Sequence, residues 1–263
     1  QSDVVISSRI RLARNLAGVP FVGHANRRQR DEVLDACRSH ITNKKLADNV
    51  IWVQLADAMP TDRQLLVERH LISRQHGSSK NEVPRGVAVG GDETFAIMLT
   101  EEAHLRIQVL RSGMHLTAAF EQINRIDDIL EDRLEFAYSR RFGYLTACPT
   151  NVGTGIRVSV MMHLPGLKLT GEIDKVKRAA RDMHLAVRGL FGEGSEAQGD
   201  LYQVSNQTTL GKTEQEILAD FEHTVVPQII AYELQARHAL LRQREDQLDD
   251  KIWRAWALLT HAR

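Results

Sequence analysis

The chain has 263 residues and balanced charge, 34 Lys plus Arg against 34 Asp plus Glu, with a pI near 7.3. With 43% hydrophobic residues and only 6 Pro and 17 Gly it can bury one sizeable core, and long disordered, collagen-like or linker tracts are excluded. The neutral balance and 5% aromatic content disfavour nucleic acid as a direct ligand, and no apolar run approaches the roughly 20 residues that cross a bilayer.

Val5 to Leu12 alternates, with Arg9 and Arg11 on one face and Ile10 and Leu12 on the other, which predicts a half-buried strand. A helix is expected over 27–41, with Val33, Leu34, Cys37 and Ile41 facing a core, and then a short strand from Val50 to Leu55. Thr61-Asp62-Arg63-Gln64 has the form of a capping box, opening a helix that carries Leu65, Leu66, His70 and Leu71. Residues 75–93 read as loop and hairpin around a small strand, Gly86 to Val89. Two strands follow, Thr94 to Leu99 and His104 to Val109, the second placing His104, Arg106 and Gln108 on one face. A long amphipathic helix is expected over 117–138, and a strand with Arg157, Ser159 and His163 on its polar face from Ile156 to Leu164.

Ile173, Val176, Ala180, Met183 and Val187 predict a helix ending near the glycine-rich stretch 188–194, with a strand from Leu201 to Ser205 beyond it. Thr213-Glu214-Gln215-Glu216 is a second capping box, and helical periodicity runs through Pro227, an expected kink, to about 244 and again over 245–262. The fold class is therefore α+β, a mainly antiparallel sheet with helices on one side. The expected division is a core over 1–212 and a helical C-terminal part of the same domain over 213–263.

Arginines recur on the polar faces of separate strands: Arg9 and Arg11, Arg106, Arg157, with Arg188 at the expected helix end. If these strands are neighbours, their guanidinium groups converge on one patch and can hold a polyphosphate in bidentate fashion, in a chain with neither a P-loop nor a G-x-G-x-x-G string. Glu101-Glu102 just before the Arg106 strand can clamp a cationic guanidinium or amine and accept its proton. The glycine turn ending Cys148 to Gly155 could present N–H groups to an anion, and Cys148 beside Arg157 is either a low-pKa thiolate or an inert thiol. The histidines show no ligand spacing, so no protein-held transition metal is expected. Two cysteines without a C-x-x-C pattern, and a start at Gln1-Ser2-Asp3 with no leader character, lead us to expect a reducing cytoplasmic setting; the missing initiator Met leads us to expect residues before Gln1.

Ser7-Ser8-Arg9-Ile10-Arg11 resembles the arginine signature of the phosphagen (guanidino) kinase catalytic domain. Thr100-Glu101-Glu102-Ala103-His104-Leu105-Arg106 resembles its N-E-E-D-H-[LI]-R motif, and Cys148 to Arg157 its C-P-[ST]-N-[LV]-G-T-G-x-R segment. Glu193 to Ala197, Gln203 to Gln207 and Leu210-Gly211 look most like the bacterial protein-arginine kinases of that superfamily, and the resemblance runs from Asp3 to Arg263.

The resemblance implies an ATP-dependent kinase that phosphorylates the guanidino group of arginine in proteins, with ATP and Mg2+. It implies nucleotide-phosphate contacts for Arg9, Arg11, Arg106, Arg157 and Arg188, with Arg85 a weaker candidate. Guanidinium binding falls to Glu101 and Glu102, Glu102 matching the base, with Cys148 beside the guanidinium. Thr100 and Ala103 depart from the motif's Asn and Asp, which bears on turnover more than on nucleotide binding. The implied partners are arginine-bearing protein substrates such as a stress-response repressor, an activator protein, a Clp-type protease and a second copy of the chain. Two alternatives stay open: a kinase of free arginine or a related small guanidine, whose relatives carry an additional N-terminal helical region, and a nucleotide-binding adaptor with little turnover.

Overall fold

The computed structural model describes residues 3–42, 46–78, 83–189 and 198–262. The motif residues Glu193 to Ala197 lie outside the described residues. The elements in chain order are β1 (Val5–Arg14), α1 (Arg27–Ile41), β2 (Val50–Gln54), α2 (Pro60–Glu68), α3 (Arg74–Gly77), β3 (Gly86–Gly90), β4 (Phe95–Leu99), β5 (Leu105–Ser112) and α4 (Leu116–Glu131). They continue with β6 (Tyr138–Ser139), β7 (Gly143–Tyr144), β8 (Ile156–His163), α5 (Pro165–Leu169), α6 (Ile173–Asp182), β9 (Leu185–Gly189), β10 (Leu201–Asn206), α7 (Glu214–Asp220) and α8 (Val226–His261). Eight strands form one sheet in the order β2-β3-β4-β5-β1-β8-β10-β9, and every neighbouring pair is antiparallel. This is the expected α+β class.

Period-2 alternation makes the central strands two-faced. Ile10, Leu12, Ile107, Val109, Ile156, Val158, Val160 and Val204 pack into the main core with Val33, Leu34 and Cys37 of α1, Ile123 and Ile126 of α4, and Ile217 and Leu218 of α7. Burial pushes the Cys37 thiol up to about 12, so it is an inert core group. Helices do not keep to one side as expected. On the opposite face, at the β3–β4 end, Val67 of α2 with Leu71 and Ile72 covers Val87, Val89, Ala96 and Met98 in a second cluster, which is why β4 is buried along its whole length.

Several local expectations are corrected. The Thr61 capping box does not form: α2 starts at Pro60, whose missing N–H suits a first turn, Met59 makes no side-chain cap, and His70 lies past the helix with φ 58°. Asn26 and Gln29 do form a capping box, as do Thr213 and Glu216. Helix α4 ends at Glu131 rather than near 138, where the chain is already strand. Helix α6 ends at Asp182, and after His184, at φ 55°, the chain becomes β9, so Val187 and Arg188 lie on a strand. Pro227 falls in the first turn of α8, directly after a π-helical turn, Phe221–Val225; the interruption of α8 comes at Arg244, with φ −144°.

Two buried carboxylates tie the layers together. Glu233 of α8, wholly buried, accepts the Gly166 and Leu167 N–H groups at 2.8 and 3.0 Å and holds Arg237 at 2.7 Å, fastening α8 to α5 just beyond β8. Arg14, 1% exposed, donates to Asp127 of α4 at 2.6 Å, to the Thr154 carbonyl at 2.9 Å, and lies 3.5 Å from the Tyr144 ring centroid. Burial raises the Asp127 carboxyl, and Arg14 works against that rise. Asp127→Ala should therefore leave the buried guanidinium with only the more distant Glu214, at 3.9 Å, and cost about 3 kcal/mol, lowering the thermal midpoint by roughly 10 °C in a denaturation scan.

Candidate active site

The strand order turns separate arginines into one surface. Across the β1–β8 pair Arg11 stands directly opposite Arg157, and Arg9 opposite Ser159; across β1–β5 Arg11 faces Gln108 and Ala13 faces Arg106. Arg188 of β9 faces Gln203 of β10. Directly paired residues share a face, so Arg9, Arg11, Arg106, Arg157 and Arg188 all lie on the side of the sheet away from the main core. There they line one cleft of about 970 Å³, together with Arg85, Glu101, Glu102 and Cys148. All nine residues singled out in the sequence are brought together.

Neutral groups hold the cations in place. Arg9 donates to the Gln108 side chain, whose amide in turn donates to the His70 and Leu71 carbonyls at 2.9 and 3.0 Å, and Arg157 donates to Ser205 at 2.9 Å. Arg85 is spent differently: it donates to the Gln75 carbonyl at 3.0 Å and closes the turn around α3. Burial first, then the neighbouring Arg106, lowers Arg9 to about 10, and burial with Arg9, Arg106 and Arg157 lowers Arg11 further. A cluster of one sign in a low-dielectric cleft is a site for a polyanion.

Between β4 and β5 the two glutamates differ sharply in exposure. The Glu101 side chain is 2% exposed and the Glu102 side chain 41%, and Arg106 bridges both carboxylates. Ser73 donates to the other oxygen of Glu101. Burial favours the protonated acid, but Arg106, the Ser73 bond, His76 and Arg11 outweigh it and hold Glu101 below its usual value. Thr100, just before this pair, is wholly buried in the left-handed region at φ 56°, its hydroxyl directed at the Pro84 and Leu99 carbonyls. Cys148 Sγ lies 3.0 Å from the Thr150 hydroxyl.

One residue of the predicted Arg106 face is turned elsewhere, and one expectation of the sequence is not met. His104 does not join the cleft: its Nδ1 accepts the Leu16 N–H at 2.9 Å and its Nε2 meets the Pro20 carbonyl at 3.0 Å, so it braces the loop after β1. The turn ending Cys148 to Gly155 does not offer an anion nest either, because the N–H groups of residues 151–154 bond to Cys148, Pro149, Tyr144 and Thr209 carbonyls. Its glycines serve close approach: at Gly153 a Cβ would lie 2.3 Å from the Thr209 oxygen, and at Gly155 2.7 Å from that of Ala13, both at positive φ. Sequence reading missed Ser73 and Arg30 in the lining and gave Gln203 and Gln207 as motif residues without a place in the cleft; the Ser at the start of S-R-Q-H carried a local signal, that of an N-cap.

Known proteins resemble the chain along most of its length. Residues 32–236 match the family model for the ATP:guanido phosphotransferase C-terminal catalytic domain. The chain is 46% identical to a protein-arginine kinase of Halothermothrix orenii, 47% to that of Symbiobacterium thermophilum and 41% to that of Bacillus velezensis, in each case over 100% of this chain and 74, 74 and 72% of the relative. Among solved structures, a duplicated taurocyamine kinase from Schistosoma mansoni with bound transition-state analogue components superposes with a TM-score of 0.81 at 26% identity, covering 89% of this chain and 34% of that one. A crystal structure of lombricine kinase superposes with a TM-score of 0.77 at 27% identity, covering 91% and 68%.

Thr100→Asn should stabilise the protein by about 1 kcal/mol, because Asn tolerates the left-handed region that a β-branched residue resists; a thermal midpoint that does not rise would mean that the Thr100 hydroxyl bonds outweigh the strain. Glu101 has a depressed pKa in the folded state, so its contribution to stability is present above the unfolded value of about 4.3 and lost as pH falls through the folded value. The stability difference between the parent and Glu101→Gln should accordingly shrink on acidification below about pH 4 in denaturant titrations.

Proposed function

This chain belongs to the ATP:guanido phosphotransferase catalytic-domain family, and we propose that it is an ATP-dependent protein-arginine kinase whose arginine floor holds the nucleotide phosphates and whose glutamates hold the acceptor guanidinium. The observation that carries the reading is the adjacency of opposite charges in one cleft: arginines on four strands abut one buried and one open carboxylate. Arg9, Arg11, Arg157 and Arg188 suit phosphate oxygens, each fork making charge-assisted bonds. In phosphoryl transfer such cations stabilise the charge spread over the transferring group, and removing one costs on the order of 10³-fold in rate.

A guanidinium, with pKa above about 12, is a poor nucleophile until oriented and relieved of a proton. Glu101, ionised and fixed, aligns it; Glu102, open to the cleft mouth, takes the proton as the nitrogen–phosphorus bond forms and the bond to the ADP oxygen breaks. The exposure of Glu102 suits an arginine presented on a protein surface, and Cys148 borders the same space. Among the described residues the cleft lining contains no carboxylate besides these two, and no cluster of three His, Cys, Asp or Glu occurs. That donor set fits Mg2+ carried on the nucleotide and keeping several water ligands, where it would neutralise phosphate charge.

The described residues contain no helix long and apolar enough to cross a membrane. The family resemblance extends the reading to a cytoplasmic location, to a stress-response repressor among the substrates, and to an activator protein, a Clp-type protease and a second copy of the chain as partners. Incubation with ATP, Mg2+ and either a casein-like protein or free arginine, followed by mass spectrometry that preserves nitrogen–phosphorus bonds, tests the central claim. Phosphoarginine on the protein is expected; phosphorylation of free arginine alone would make it a small-guanidine kinase, and bound ATP with no product an adaptor. Glu102→Gln should abolish transfer while ATP affinity stays within a few fold. Arg11→Ala and Arg157→Ala should each weaken ATP binding by about 1.5–3 kcal/mol in calorimetric titrations.

A further inference from the structure

Ser73 sits in the short link between α2 and α3, with no resemblance motif around it, yet it is the residue on which Glu101 rests. Its Oγ accepts the His76 N–H at 3.0 Å as the N-cap of α3, so the one proton it owns is directed away from that turn and onto Glu101 Oε1. The other Glu101 oxygen faces Arg106. Beneath them His76 is 1% exposed, with Nε2 3.0 Å from the Gly86 carbonyl and no partner for Nδ1 among the described residues. A carbonyl only accepts, so Nε2 carries a proton; burial leaves the ring uncharged at neutral pH, and His76 becomes a counter-charge to Glu101 only in acid.

We propose that Ser73 is the positioning residue that keeps Glu101 ionised and aimed at the acceptor guanidinium. The inference rests on the kinase reading above and deepens it by assigning a residue to the acceptor side alone. Glu101 is nearly sealed from water, so burial by itself favours the protonated acid, which cannot pair with a guanidinium. Arg106 counters this only while its guanidinium stays on the two glutamates; once it turns toward phosphate oxygens, the Ser73 hydroxyl is the direct donor that stays on Glu101 among the described residues. The charged and titratable groups around this carboxylate are Arg106, Arg9, Arg11, Arg85, His76 and, across Arg106, Glu102, and burial lowers His76 to about 4, leaving it uncharged at neutral pH.

The test compares the parent with Ser73→Ala and Ser73→Thr, measuring kcat and KM separately for ATP and for a protein acceptor as a function of pH. Ser73→Ala should lower kcat/KM for the acceptor by about 10- to 100-fold, the loss of one hydrogen bond to a charged group, with KM for ATP changed less than about 2-fold. Its acid limb should move to higher pH, and Ser73→Thr, which restores a hydroxyl, should return both quantities toward the parent. Equal losses for ATP and acceptor, an unmoved acid limb, or a Thr variant as impaired as Ala would overturn the assignment. A readout independent of activity accompanies it: loss of the α3 cap lowers stability equally at all pH, whereas loss of the bond to Glu101 shifts the acid loss of stability to higher pH. A parent that binds ATP without phosphorylating any protein would defeat the kinase reading, while this stability profile would still decide the Ser73–Glu101 link.

Discussion

Like charges set side by side on adjacent strands are the constraint around which this molecule is built. Arg11 stands directly across from Arg157, and Arg106 lies one strand away on the same face. Such pairing opposes sheet formation, and Arg9, lowered first by burial, is lowered further by the neighbouring Arg106 and Arg157. The sheet forms because its reverse face is continuous core: Ile10 and Leu12 alternate with the arginines of β1 and are wholly buried. Hydrophobic burial on one side thus offsets an electrostatic cost on the other, and that cost is relieved when a polyanion enters the cleft.

Arg106 joins the two halves of the site. Its guanidinium bridges Glu101 and Glu102, while its strand neighbours carry Arg9 and Arg11. The arginine side and the glutamate side of the cleft are therefore coupled through one side chain, and a polyanion that drew Arg106 away would alter what the glutamates meet. The unequal exposure of those glutamates follows from packing: Glu101 points in toward Ser73 and Glu102 points out to the cleft mouth.

Backbone strain collects at the same place. Thr100 and His70 both occupy the left-handed region, on either side of the segment that carries Ser73 into the cleft, and each is held by its surroundings. The Thr100 N–H bonds the His104 carbonyl at 3.0 Å, and the His70 carbonyl accepts from Gln108. Conformations that cost about 1–3 kcal/mol persist only where neighbours over-determine them, and here those neighbours also fix the glutamates and the arginine floor.

The alternation of Arg9 with Ile10 and of Arg106 with Ile107 is a local property of period 2, so the strands, their polar faces and the types of charged group they carry could be read from residue order. Local periodicity also misled: Met183 and Val187 continue the helical spacing of α6, but His184 turns the chain, and Val187 with Arg188 joins the sheet opposite Val204 and Gln203. The long pairings were not legible, because strand order is settled by which apolar faces can be buried together over the whole chain. Only that order puts Arg157 beside Arg11 and brings Asp127 to Arg14 and Ser73 to Glu101, partners separated by 146, 113 and 28 positions. Residue types and their faces were set by sequence; which of them touch was decided by tertiary packing, since a contact between distant residues has no local signature.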